Sequence, residues 1–263
     1  AMLELTVIGN QGPYAGPGGT CSGYLLSAGS TAVLVDSGPG VVSGLQHQID
    51  FRSLSGIIIS HYHPDHCSDF LTMRYAFHYA GSRGQLPGPV PLCIPEPGWE
   101  SFAREWVGQQ YAELFDVNLI SDGRTMRLGD LRFEFMRVAH SIPSYGMLVW
   151  EEAAAEGGRA PIAYTSDTGQ CEALGRLAGK ARTLLAEAGA ARVYAAGHEL
   201  PGPPAPGHLS PAEAGAAARA AGVDRLILTH LHPESRPRKI EAEAGEAMGC
   251  QVWVAEPGRR YAL

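Results

Sequence analysis

Residues 59–70 read ISHYHPDHCSDF, which places His61, His63, Asp65 and His66 within six positions immediately after the apolar run Ile57-Ile58-Ile59. A short continuous apolar run predicts a buried strand, so the histidines fall in the loop that leaves it. Neutral imidazole nitrogen and ionised carboxylate are the donors that zinc, manganese and iron accept. A loop that merely caps backbone groups has no need of three imidazoles beside a carboxylate. The stretch therefore predicts a metal site at the end of a strand.

The 263 residues, 45% of them hydrophobic, suffice for one sizeable core with layers on either side, and predict a single domain spanning residues 1–263. A net charge of −7 excludes the general basic field by which nucleic-acid proteins hold phosphates, and favours a small-molecule substrate. Five cysteines, at 21, 67, 93, 171 and 250, form no CxxC pair, so neither a disulfide framework nor a cysteine-built zinc knuckle is expected. The opening AMLELTVIGN passes directly into strand-like alternation without a basic leader, and no apolar run is long enough to span a bilayer. Those features predict a cytoplasmic protein with no membrane contact.

LELTVIG, SGYLLSAG and TAVLVDSG are short β-type runs punctuated by glycine, and predict an opening antiparallel sheet. A short helix is expected at 44–49 and a longer one at 68–80, where Leu71, Tyr75 and His78 or Tyr79 form a core-facing stripe. A strand at 90–94 precedes a helix over 99–114. Strands follow at 117–120, 131–138, 146–150 and 161–165, then helices around 172–177 and 181–188. A strand at 193–196, the turn-rich PGPPAPG, an alanine-rich helix, the strand RLILT, a helix at 237–248 and the strand QVWVA complete the chain. Two halves that each run from strands into helices predict two sheets face to face with helices outside.

More donors stand where strands end: His140 after LRFEFMRVA, Asp167 in IAYTSDTG and His230 after DRLILT. Singly, such residues are usually caps or turns. Five histidines and two aspartates at the ends of separate strands are how a scaffold converges ligands on one edge. Seven ligands exceed the roughly four that one tetrahedral zinc ion takes, so two ions are expected. His232 is the rival to His230, which is preferred because it directly ends its strand.

The run HxHxDH, followed in order by an isolated His, an Asp and a final His, resembles the metallo-β-lactamase fold superfamily. The resemblance implies an α/β fold, a four-layer αββα sandwich of two mixed β-sheets flanked by helices. It also implies that His61, His63 and His140 hold one metal, that Asp65, His66 and His230 hold a second, and that Asp167 bridges them. The cofactors are then two divalent ions, zinc foremost, with manganese or iron as alternatives. Asp36 in VLVDSGPG resembles the family aspartate that orients the metal-binding loop, although a turn residue closing a hairpin reads the same.

Within that superfamily, HSIPSYGM from His140, GHEL around Glu199 and GHLSPAE from His208 resemble motifs of ribonuclease Z. The resemblance implies Glu199 and His208 as a proton-transfer pair beside the metals, and Asp65 as both ligand and proton acceptor. Ser210, Pro211 and Glu213 also spell a capping box, which explains SPAE without catalysis. Ribonuclease Z enzymes carry a long basic arm between the third-motif His and the bridging Asp, whereas here residues 141–166 alone intervene, with a single arginine. The departure argues against structured transfer RNA as a partner; analogy with these relatives suggests a homodimer. The implied function is a binuclear metal-dependent hydrolase acting on a small or short phosphodiester through a metal-bridging hydroxide. Hydrolysis of an ester, thioester or lactone on the same site is the alternative, and a non-enzymatic metal-binding scaffold is disfavoured by the complete ligand set.

Overall fold

The computed structural model describes residues 2–154, 158–195, 198–200 and 207–263. Its strands are β1 (Glu4–Gly9), β2 (Gly23–Ala28), β3 (Thr31–Val35), β4 (Gly56–Ile58), β5 (Val90–Pro95), β6 (Phe115–Ile120), β7 (Thr125–Leu128) and β8 (Leu131–Val138). They continue with β9 (Ser144–Glu151), β10 (Ala160–Tyr164), β11 (Ala181–Glu187), β12 (Val193–Ala195), β13 (His198–Leu200), β14 (Arg225–Thr229), β15 (Trp253–Val254) and β16 (Arg260–Ala262). The α-helices are α1 (Val41–Leu45), α2 (Pro64–Cys67), α3 (Phe70–Gly81), α4 (Trp99–Phe102), α5 (Glu172–Gly179), α6 (Pro211–Ala221) and α7 (Pro237–Met248). Among the described residues no helix is long and apolar enough to cross a membrane.

Two seven-stranded mixed sheets run in the orders β16-β1-β2-β3-β4-β5-β6 and β15-β14-β11-β10-β9-β8-β7. Each opens antiparallel and then turns parallel, through β3, β4, β5 and β6 in one and β10, β11, β14 and β15 in the other. Parallel neighbours need a crossover, and a helix fills each of these connections. Period-two alternation then sorts the side chains. Val33, Val35 and Ile58 meet Phe133, Met147 and Leu185 between the sheets. Leu34, Ile57 and Ile59 face Phe70, Met73 and Phe77 of α3 outside the first sheet. Leu184, Ala186 and Leu228 pack with residues of α5, α6 and α7 outside the second. The result is the four-layer αββα sandwich of the metallo-β-lactamase fold, and because β3, β4, β10, β11 and β14 run parallel to their partners, their C-terminal ends collect on one edge of each sheet.

Several local expectations give way to tertiary packing. Residues 181–188, expected as a helix, form strand β11, because RTLLAE is hydrogen-bonded in register between β10 and β14; its leucines and alanines are good helix formers, but parallel partners on both sides outweigh that preference. The helix expected over 99–114 breaks into α4, a π turn at Ala103–Val107 and a 3₁₀ stretch at Gln109–Leu114, with Gly108 at φ 80° between the last two. The short helix lies at Val41–Leu45, earlier than 44–49. Along α3 the buried stripe is Phe70, Met73, Phe77 and Ala80, which leaves Tyr75 and Tyr79 exposed. The edge strands β7 and β16 are additions that no sequence pattern flagged. PGPPAPG lies almost wholly outside the described residues, as does residue 196.

Phe77 is fully buried in the outer core and stacks edge-on against Phe51 and Phe115. Phe77→Ala should lower the unfolding free energy by about 3–5 kcal/mol in a denaturant titration, whereas Tyr79→Ala on the open face should change it by roughly 0.5 kcal/mol or less.

Candidate metal centre

Asp36 follows β3 with φ 61°, is fully buried, and gathers four donors. Ser60 N–H donates to its carboxylate at 2.7 Å, and Ser60 Oγ, His66 Nδ1 and Tyr164 Oη donate at 2.9, 2.8 and 2.9 Å. Donation from Nδ1 makes Nε2 of His66 the bare lone pair, aimed away from Asp36. The Asp36 loop also docks on the histidine loop, where Ser37 N–H donates to His66 O at 2.7 Å. A Cβ at Gly38 would collide with the backbone oxygen of Asp65, so the approach requires glycine. Asp36 thus orients the histidine loop and does more than close a hairpin.

The first donor group is His61, His63, His140 and Asp167. His63 Nδ1 lies 3.2 Å from His61 Nε2 and 3.0 Å from His140 Nε2. His140 donates from Nδ1 to Gly207 O at 2.8 Å, which leaves its Nε2 as a lone pair facing the other rings. The second group is Asp65, His66, Asp167 and His230. His230 Nε2 lies 3.0 Å from Asp65 Oδ2 and 3.2 Å from Asp167 Oδ2, and His66 Nε2 lies 3.2 Å from Asp167 Oδ1. Asp167 faces both groups. All seven residues named from the sequence are therefore gathered at one place, from four separate connections of the fold, those that follow β4, β8, β10 and β14.

Two divalent ions fit this donor set on the geometry of its atoms. Three ring nitrogens converging at 3.0–3.2 Å cannot all be satisfied by hydrogen bonds to one another. Tetrahedral ligands about 2.0–2.1 Å from zinc would themselves lie roughly 3.3 Å apart. His66 Nε2 and Asp167 Oδ1 are buried yet make no hydrogen bond. Burial holds the pKa values of His61, His63 and His140 down, as neutral ligands require. His66 and His230 are buried too, but Asp167, Asp36 and Asp65 around His66, and Asp167 and Asp65 beside His230, outweigh burial and push both up. Carboxylates in this number call for positive charge between them. Among the described residues the non-glycine positions at positive φ are Asp36, Ser166 and His230, each a ligand or a neighbour of ligands; such backbone costs on the order of 1–3 kcal/mol apiece and here aims side chains.

His232 stands outside both groups. Its Nδ1 accepts from Glu234 N–H at 3.2 Å, and its ring meets Tyr14 edge to face.

The expected pairing of Glu199 with His208 is not what the structure contains. Glu199 lies exposed on β13, where Arg192 Nη1 and Lys239 Nζ donate to it at 2.6 and 2.9 Å. His208 instead donates from Nδ1 to Glu187 Oε1 at 2.9 Å, and its ring stacks on His230 with centroids 5.3 Å apart. Glu187 ends β11, is fully buried, and also accepts from Thr168 N–H and Gly189 N–H, both at 2.8 Å, which fixes its carboxylate beside His208 and His230. Burial opposes charge on His208, but the hydrogen bond and charge of Glu187 prevail and bring its pKa up to about 9. Sequence reasoning missed Glu187 because it sat in a segment read as helix. The signal was present, since an apolar run closing in an acid ahead of glycine recurs in VLVDSG, YTSDTG and LLAEAG.

The beta-lactamase superfamily domain matches residues 31–231, from β3 to just beyond His230, and the chain belongs to that family. Protein ML1173 of Mycobacterium leprae is 34% identical over 98% of this chain and 88% of its own length. YhfI of Bacillus subtilis, a probable metallo-hydrolase, is 25% identical over 97% of this chain and 98% of its own. The YhfI crystal structure superposes with a TM-score of 0.86 at 24% identity, covering 99% of each chain. Ribonuclease Z of Salinispora arenicola is 25% identical over 96% of this chain and 94% of its own.

Elemental analysis of chelator-free protein should return two divalent ions per chain, falling to one or none in His230→Ala and remaining at two in His232→Ala. A maximum of one ion under saturating zinc and manganese would refute the binuclear assignment. Gly38→Ala should force the two loops apart, lowering metal occupancy and destabilising the fold by roughly 1–3 kcal/mol, read as a fall in Tm that added metal does not restore.

Proposed function

We propose that this chain is a binuclear, zinc-dependent hydrolase of small phosphodiesters. The observation that carries the proposal is the Glu187–His208 pair set against two donor groups that share Asp167. The full-length similarity to ribonuclease Z at 25% identity supports a phosphodiester as the bond attacked. His61, His63 and His140 with Asp167 would hold one ion, and Asp65, His66 and His230 with Asp167 the other. When bound, the two ions would supply an activated water and offset negative charge on the substrate.

The chain's own groups supply positioning and proton transfer. Glu187 fixes the His208 ring through Nδ1, which leaves Nε2 as the edge that can give a proton to the leaving oxygen. His208 is partly exposed and, with Pro13, His63, Pro64, Asp65, Asp167 and His230, lines a cavity of about 290 Å³. Asp65, facing His230 at 3.0 Å, is placed to hold the proton that the attacking water gives up. Glu199 has no part in this scheme and serves the ion pairs that attach β13 to α7.

Metal-loaded protein should hydrolyse bis(p-nitrophenyl) phosphate and cyclic nucleotides faster than a thioester or a lactone, and should process precursor transfer RNA weakly or not at all; the reverse ranking would overturn the phosphodiester reading. His208→Ala should lower kcat by ~10²–10⁴-fold on a phosphodiester with an alkoxide leaving group, and by less on one with p-nitrophenolate, with metal content unchanged. Glu187→Gln should reproduce most of that loss, and the double variant should cost little more than either alone. Equal losses on the two leaving groups would assign His208 to substrate positioning instead.

A further inference from the structure

We infer that Tyr14 selects the organic group of the substrate, by stacking on a nucleobase esterified to the phosphate. The inference rests on the phosphodiester reading above and adds to it a residue outside the metal-ligand set.

The loop between β1 and β2 is built onto the metal centre. Leu231 N–H donates to Asn10 O at 2.7 Å and Gly12 N–H donates back to Leu231 O at 3.1 Å, so the loop pairs with the residue that follows His230. A Cβ at Gly12 would collide with the His230 ring, which shows how closely the backbone lies against that ligand. The loop is also braced from within, since Gly16 N–H donates to Gln11 Oε1 and Gly19 N–H to Gly16 O, at 2.9 and 2.8 Å. Its Pro13 is part of the cavity wall beside His208 and His230.

Tyr14 follows Pro13, one Cα step of about 3.8 Å from that wall. Its ring is held edge to face by His232, with centroids 5.4 Å apart and planes at 85°, yet 49% of the residue remains exposed. Of the exposed large hydrophobic side chains among the described residues, it alone is bonded to a residue of the cavity wall. Among the described residues the wall contains no lysine or arginine. The part of a substrate beyond the phosphate therefore has no lysine or arginine to hold it there, and the half-exposed aromatic side chain that follows Pro13 offers stacking in its place. Stacking is the sequence-tolerant contact by which proteins take hold of single bases.

Two esters with a common leaving group test this, thymidine 5′-(p-nitrophenyl phosphate) and methyl p-nitrophenyl phosphate. The metal-loaded protein should show a lower KM for the thymidine ester. Tyr14→Ala should cut that preference by roughly 5- to 150-fold, the range spanned by one base stacked on an aromatic side chain, while Tyr14→Phe keeps it. Thymidine 5′-monophosphate, titrated by calorimetry into the metal-loaded protein, should lose affinity for Tyr14→Ala by a similar factor. An undiminished preference in Tyr14→Ala, or an equal loss in Tyr14→Phe, overturns the inference. Failure of the unaltered protein to hydrolyse either ester overturns the phosphodiester reading instead. Calorimetry then decides Tyr14 by itself, and absent binding or an affinity indifferent to Tyr14→Ala counts against it.

Discussion

The carboxylate of Asp36 is the contact on which the rest depends. It is buried without a cationic side chain from Lys or Arg, a placement that costs several kcal/mol unless donors surround it. Ser60 and His66 donate from the histidine loop of the first sheet, and Tyr164 donates from β10 in the second. One anion thereby fixes the tautomer of a ligand, the path of the loop that carries three others, and the registration of the two sheets beneath the site. A polar seam continues from it, Ser60 to Ser166 at 2.8 Å and Ser166 to Ser144 at 2.9 Å, with Tyr24 and Thr229 joined across the sheets at 2.7 Å. Satisfied networks of this kind tolerate few alternative alignments, whereas the apolar inter-sheet core would accept a slide of one sheet on the other more readily.

The seven donors were legible in the sequence for a physical reason. Each follows an apolar run, and parallel strands deliver their C-terminal ends to the same edge, so residues distant in sequence had to converge once the strands were recognised. Glu187, the carboxylate bonded to His208, was not legible because that logic was not applied to a segment read as helix. ARTLLAE scores as helical by local preference, and only its bonding between β10 and β14 makes it a strand. The proton-transfer role was given to Glu199 instead, on the resemblance of GHEL to a ribonuclease Z motif. The exposed stripe of α3 failed differently, since 70-73-77-80 and 71-75-78 are both helical spacings and only the position of β4 and β5 decides between them.

On the proposed function, charge would give the cavity its selectivity. Asp36, Asp65 and Asp167 carry three negative charges into a space whose neutral ligands are imidazoles, while Glu187 and a protonated His208 cancel one another. Two divalent ions would leave a single positive charge in excess, which suits a singly charged phosphodiester and is wasted on a neutral lactone or thioester. A surplus this small also cannot attract a polyanion, and neither the wall of the cavity nor the net charge of −7 adds to it. Affinity for the remainder of the substrate must then come from contacts that do not depend on charge. The short β9–β10 connection offers no basic arm for that purpose, and on the proposed reading the task would fall to the loop packed against His230, where Pro13 lines the cavity and Tyr14 follows it.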